Sequence, residues 1–322
     1  MMLLTKVMLC LSLFISNVSI AKEVLRAGYL PLMDHLILAV SHVLDNQHYQ
    51  HVNVKPRLFK KWSELGGALK ANKIDAAFIL SPFAMEMFQN GLDIKTILLA
   101  HRNGSSITVS KTSNIKEPFD LKGKKIAIPW YTATHATLLN NYLKTANLSL
   151  KDISLRIIAP PNMPKAMELG FLDGFMTPEP FGTKAVRQGV GNILILSREV
   201  LPDHVDCIVV IHNTFLKQHP EAVKEWLSSL VKASEWIEHD RLTTNSQTIA
   251  DLMTTNKYYP HSKELIIDSL SLSSHKISFM NLKPEIEDLE VIFNFSKDAG
   301  IINKNIELAD FIDTQFYPTI LQ

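Results

Sequence analysis

The chain has 322 residues, 33 Lys+Arg against 32 Asp+Glu, a formal charge of +1, 46% hydrophobic residues and 2 cysteines. That apolar content excludes intrinsic disorder, and near-neutrality excludes the basic footprint of a nucleic-acid-binding domain. Two cysteines cannot supply a disulfide framework or a four-thiolate zinc site, and the length suggests two domains.

Residues 1–21 read as a cleaved signal peptide. Lys6 supplies the positive end, 7–15 is an apolar run, and Ser19-Ile20-Ala21 offers small residues at the cleavage position. The run is too short for a ~30 Å hydrocarbon core. The expected product is exported, periplasmic and soluble, starts near Lys22, and leaves Cys10 behind so that Cys207 is its single thiol.

Short β-rich runs then alternate with amphipathic stretches, which predicts an α/β fold. Strands are expected over 24–30, 52–59, 76–80, 95–100 and 107–110, and helices over 34–44, 63–71 (with Ser63 as its cap) and 82–89. The pattern restarts with strands over 124–129, 154–159 and 174–177 and helices over 134–146, 164–169 and from Pro180. Asp75, Pro82 and Phe83 recur as Asp173, Pro180 and Phe181, and Pro31 as Pro129, all at a spacing of 98 residues. This echo predicts two lobes on one βα plan, 22–112 and 113–205. A strand over 207–211 and helices over 220–239, 246–253, 262–269 and 283–299 are expected to return to the first lobe, making it 22–112 plus 206–322. Two crossovers, near 103–112 and 203–211, make a hinge beside a ligand cleft.

Ligands in open α/β sheets bind outside the carboxyl ends of the strands. That rule selects Asp34 and His35, Trp62, Ser81 and Phe83, Trp130 and Tyr131, Thr134 and His135, and Glu179 and Phe181. The aromatics can bury a small ligand, or pack a seam between the lobes. Ser63, Ser81, Thr132 and Thr134 offer hydroxyls, although Ser63 is explained by capping, and Asp34 could also be a cap. Lys60, Lys61, His101, Arg102 and His135 are the candidate cations, with Lys60-Lys61 readable as a solvated pair. Glu179, held between two prolines, could accept from a ligand or bridge the lobes. No nucleophile, phosphate-loop or dinucleotide motif is present, so no catalytic residue and no cofactor is expected. His42, His48 and His51 lack metal-ligand spacing, and no metal is expected.

The same points carry a family resemblance. Gly28-Tyr29-Leu30-Pro31-Leu32-Met33-Asp34, Trp62, Lys73-Ile74-Asp75-Ala76-Ala77, Leu80-Ser81-Pro82, Thr134-His135, Asp173-Gly174, Glu179-Pro180-Phe181 and His219-Pro220-Glu221-Ala222 are the residues concerned. From about 24 to 240 the chain resembles the nitrate/sulfonate/bicarbonate (taurine-type) family of periplasmic substrate-binding proteins for ABC transporters. The resemblance implies a type II periplasmic-binding fold, and a monomeric receptor that delivers a small polar or anionic solute to permease and ATPase subunits. It matches Trp62 and His135 to nitrate-contacting positions. Where nitrate binders carry Asp-His-Pro-Glu-Lys, this chain has Asp203-His204-Val205-Asp206-Cys207. Asp206 and Cys207 therefore join the candidate site, a fixed cation is missing, and nitrate itself is not implied. An exported ligand sensor is an alternative. So is an enzyme on this fold, such as a thiamine-pyrimidine synthase or a menaquinone-pathway dehydratase, but export disfavours both, and the synthase's cysteine-rich iron motif is absent.

Overall fold

Each buried apolar run becomes a strand and each amphipathic run a helix laid over it, in a computed structural model that describes residues 21–272 and 276–317. Of the expected signal peptide, 1–21, residues 1–20, Cys10 included, lie outside the described residues. The chain opens with β1 (Glu23–Tyr29), α1 (Leu36–Asp45), β2 (Val52–Leu58), α2 (Trp62–Lys70), β3 (Ala76–Leu80), α3 (Ser81–Gln89) and β4 (Ile94–Leu99). Two-residue β5 (Arg102–Asn103) leads into β6 (Ser105–Ser110), β7 (Lys125–Ile128), α4 (Thr134–Lys144), β8 (Ser154–Ile157) and α5 (Met163–Glu168). Then come β9 (Gly174–Pro178), α6 (Phe181–Arg187), β10 (Gly191–Leu196) and α7 (Ser197–Val200). The last part holds β11 (Cys207–His212), α8 (Asn213–Gln218), α9 (Pro220–Thr243), α10 (Gln247–Thr255), α11 (Lys263–Leu270), β12 (Ile277–Ser278), α12 (Ile286–Asp298) and α13 (Leu308–Phe311).

Two five-stranded sheets result, with orders β2-β1-β3-β11-β4 and β8-β7-β9-β6-β10. In each, the first three strands are parallel and the fourth is antiparallel to both neighbours. The internal echo is therefore topological. It also has a local cause at Asp75 and Asp173. Asp75 Oδ2 accepts the Arg26 backbone N–H at 2.8 Å, and Asp173 Oδ2 accepts that of Lys125 at 2.7 Å. Each carboxylate ties the entry of one parallel strand to the next, an N–H that would otherwise lack a ladder partner.

Several expectations need correction. β6, expected within a first lobe ending at 112, pairs with β9 and β10 in the second sheet. It fills the antiparallel slot there, as β11 does in the first sheet. Ser63 does not cap α2, because Lys61 is the last extended residue and Trp62 begins the helix. The helix expected from 283 starts at Ile286, since Pro284 keeps its predecessor out of helical geometry. β10, α7, α8 and the β5–β12 pair were not expected.

The larger core surrounds the first sheet, with Phe78 and Trp226 edge to face at 6.5 Å. α9 packs on α1 and β2, and α13 on β4, so the helical C-terminal part covers this sheet. α12 touches both α3 and α4 and so spans the two halves.

Candidate functional site

Side chains from the strand ends of both sheets meet in one buried polar cluster. Asp34 lies in the 3-10 turn Met33–His35 after β1, His101 follows β4, Asp206 immediately precedes β11 and Cys207 begins it. From the other half come Ser105 at the start of β6, His135 in the first turn of α4, and Glu179 after β9. All of these are essentially inaccessible to solvent.

Asp206 is the node. Its Oδ2 accepts a hydrogen bond from Ser105 Oγ at 2.9 Å and lies 3.5 Å from His135 Nε2, which is itself 2.9 Å from Ser105 Oγ. Its carbonyl accepts the Ser81 backbone N–H at 2.9 Å and the Thr134 hydroxyl at 3.3 Å. Asp34 Oδ2 stands 3.3 Å from His101 Nε2 and receives the Cys207 thiol at 3.8 Å. Gly104, with φ +97, lets the chain turn between His101 and Ser105, and an added Cβ would meet the His101 ring at 3.1 Å.

Burial raises the Asp34 carboxyl to about 6, against the pull of His101. Burial alone would lower the His101 imidazole, but the charge and hydrogen bond of Asp34 outweigh it and the group is raised. The two thus share a proton near neutrality. Burial would also raise Asp206, yet His135, His101 and His204 overcome it and hold the carboxyl low. His135 is lowered by burial despite Asp206, and burial pushes the Cys207 thiol well up.

An aromatic shell borders the cluster. Phe83 and Trp130, from opposite halves, pack at 5.5 Å, and Thr132 donates to Glu86 at 2.9 Å beside them. Trp62 is buried edge-on to His35 at 5.8 Å, and its indole N–H has no partner among the described residues. A cavity of about 360 Å³ opens here, lined by Trp62, Ser63, Trp130, Ile158, Pro160 and Asn162. Phe181 is a buried wall against His261. Two expected roles change. Tyr131 is 66% exposed, because its neighbour Trp130 takes the inward direction of that turn. His35 turns Nδ1 to the Leu30 backbone at 2.9 Å and so holds the turn after β1. Glu179, read as a ligand acceptor or a bridge between the lobes, has Lys276 Nζ 3.0 Å from its Oε1. Of the other cations, Arg102 grips Asp288 through two bonds at the crossover, and Lys60 and Lys61 lie at the surface.

Ser105, Lys276 and Tyr259 were missed. Ser105 sits in an Asn-Gly-Ser triplet readable only as a glycosylation signal, Lys276 in a polar stretch without periodicity. The Tyr259 hydroxyl is buried with no partner among the described residues. Only the position of Ser105, at the crossover, was a usable signal.

Comparison with known proteins agrees with this architecture. The model of the NMT1-like family matches residues 20–254. The chain is 25% identical over 263 residues to the nitrate import ATP-binding protein NrtC of Synechocystis sp., covering 75% of this chain and 38% of that one. It is 24% identical over 257 residues to the nitrate/nitrite binding protein NrtA of Nostoc sp., covering 73% and 58%. It thus spans less than two thirds of these relatives. Among solved structures, the ligand-binding component of an ABC-type import system from Staphylococcus aureus, with zinc bound, superposes with a TM-score of 0.82 at 24% identity. That match covers 92% of this chain and 98% of the other, and the likeness is one of fold, a periplasmic-binding-protein fold with two α/β lobes.

Proposed function

The chain belongs to the NMT1-like family, and on that premise we propose that it is a solute-binding receptor of an ABC-type importer. It is exported to the periplasm, closes on a small polar solute, and hands it to permease and ATPase subunits. The observation that carries this reading is the buried polar cluster in which Asp34, His101 and Cys207 from one half face Ser105, His135 and Glu179 from the other. Such a cluster satisfies itself fully only around a ligand, since Asp34 Oδ1, Ser81 Oγ, His135 Nδ1 and Asp206 Oδ1 are buried without partners among the described residues. The moving units are a first lobe of about 22–104 plus 206–322 and a second of about 105–205, hinged at the crossovers between them.

The names of the relatives speak for their own ligands. Here three carboxylates (Asp34, Asp206 and Glu179) face two imidazoles, and the ammonium of Lys276 is spent on Glu179. We read the solute as one that donates hydrogen bonds as well as accepting them, which nitrate does not. Trp62, Phe83 and Trp130 close over it.

Turnover is disfavoured by the state of Cys207. A nucleophilic cysteine is a thiolate beside a base, whereas this thiol is held protonated by burial and two acids and donates to Asp34. A thermal-shift screen against oxyanions, sulfonates, amino acids and pyrimidines tests the receptor reading, because a bound solute raises the midpoint by mass action. One class should raise it without being consumed. No rise in any class at millimolar concentration, or steady conversion of the hit, would overturn the reading.

A further inference from the structure

Asp34, His101 and Cys207 are far apart in the chain and adjacent in space, because β11 lies between β3 and β4, and β1 lies beside β3. Asp34 Oδ2 is 3.3 Å from His101 Nε2 and 3.8 Å from Cys207 Sγ, and one ligand atom of each residue lies within 4.8 Å of the others. A tetrahedral ion with bonds of about 2.0–2.3 Å to oxygen, nitrogen and sulfur spaces its ligands about 3.3–3.8 Å apart.

Without an ion, two protons hold this point together: one lies between His101 Nε2 and Asp34 Oδ2, and the Cys207 thiol donates the other to the same oxygen. Asp34 Oδ1 and His101 Nδ1 are buried without partners among the described residues. An ion that displaced the two protons would meet a carboxylate, an imidazole and a sulfur already gathered where solvent does not reach. A dication among one carboxylate, one thiolate and one neutral imidazole sums to zero charge, the condition a fully buried site tolerates.

We propose that Asp34, His101 and Cys207 bind one divalent ion of the zinc class, with a fourth coordination position left for a group in the cleft. The thiol and the Asp34–His101 pair each release one proton to solvent as the ion binds. Nitrogen and sulfur donors disfavour calcium and magnesium, which take oxygen. The three ligands lie along one edge of a single sheet, after β1 and β4 and at the start of antiparallel β11, so the ion loads before closure. The receptor reading bears only on what fills the fourth position.

The test uses tag-free protein stripped with a chelator, titrated with zinc chloride by calorimetry and with cobalt(II) by absorption, with no solute present. One equivalent of zinc should bind, and cobalt should give a near-ultraviolet thiolate charge-transfer band. Cys207→Ala should abolish the band, and Cys207→Ala and His101→Gln should each weaken zinc binding at least tenfold, with circular dichroism confirming their folding. Absence of the band in the unmodified protein overturns the site without recourse to any variant. So does zinc binding that survives Cys207→Ala, which would mark surface histidines. A solute hit without zinc binding would leave the receptor standing and remove the metal site, and the converse would do the reverse.

Discussion

Replacing Asp206 with asparagine should open the cleft. The carboxylate accepts from Ser105 at 2.9 Å and stands 3.5 Å from His135, with all three side chains buried. A hydrogen bond to a charged group contributes about 1.5–3 kcal/mol and a neutral one about 0.5–1.5 kcal/mol. Asparagine keeps the shape and one carbonyl, so the loss is the difference, about 1–2 kcal/mol. Ser105 and His135 belong to the second sheet's half and β11 to the first, so the loss falls on the closed arrangement. At about 1.4 kcal/mol per factor of ten, closure weakens about 5–30-fold. Small-angle scattering of the ligand-free variant should report a larger radius of gyration, and the affinity for a hit from the solute screen should fall by a similar factor. An unchanged scattering curve with unchanged affinity would refute the reasoning. A lower melting temperature with the cleft still closed would mean that the charge anchors β11 in its own sheet.

Trp62→Phe tests the aromatic shell: the unpartnered indole N–H is lost while a smaller aromatic ring stays in the position, so ligand affinity should drop about tenfold, with the melting midpoint within a few degrees. Trp62→Ala is the poorer probe, because emptying this buried position costs about 3–5 kcal/mol in stability. Asp173→Ala should destabilise by about 0.5–1 kcal/mol in chemical denaturation, because the Lys125 N–H loses its carboxylate partner at an exposed position that water can reach, and leave ligand affinity untouched. A changed affinity would assign that residue a ligand role instead. Acid should also destabilise the metal-free protein. Burial holds His35 down at about 3 and His204 at about 4, so both stay neutral in the fold while the unfolded chain protonates them near ~6.5. Asp34, raised to about 6, takes up its proton in the fold first and offsets one of them. Near pH ~5 these three groups leave the unfolded state with about one proton more, and His42, His135 and His261, also lowered by burial, add to it, so at least about 1.4 kcal/mol is lost per pH unit as pH falls. Denaturation midpoints that stay level between pH 6 and 5 would contradict neutral buried histidines.

The strands were legible where they are buried on both faces, as Ala76–Leu80 and Gly174–Pro178 are, because such runs stand out between turn residues. The strand-end rule also located Asp34 and His135, which the fold brings into one network with His101, named only as a candidate cation, and with Asp206 and Cys207, named only through the resemblance. It failed where direction within a turn decides, since Trp130 and Tyr131 are adjacent and only one can face inward. It failed again for Lys276, whose partner Glu179 is remote in sequence, so that no local pattern records the pair. Asp75 and Asp173 were read as part of a family pattern, and their recurrence reflects strand anchoring. Departure from the family pattern at Cys207 was visible in the sequence. That its sulfur faces Asp34 and lies beside His101 needed the register of β11 against β3 and β4.

The two sheets differ in how many pieces of chain they need. Every strand of the second, β6 to β10, lies in the unbroken stretch 105–205, whereas the first takes β1 to β4 from before that stretch and β11 from after it. Because β11 alone joins β3 to β4, the first sheet cannot be completed until the chain of the second half has been made. The segment 22–104 expressed without its return would carry an open seam with raw edges at β3 and β4, a template for pairing with stray strands.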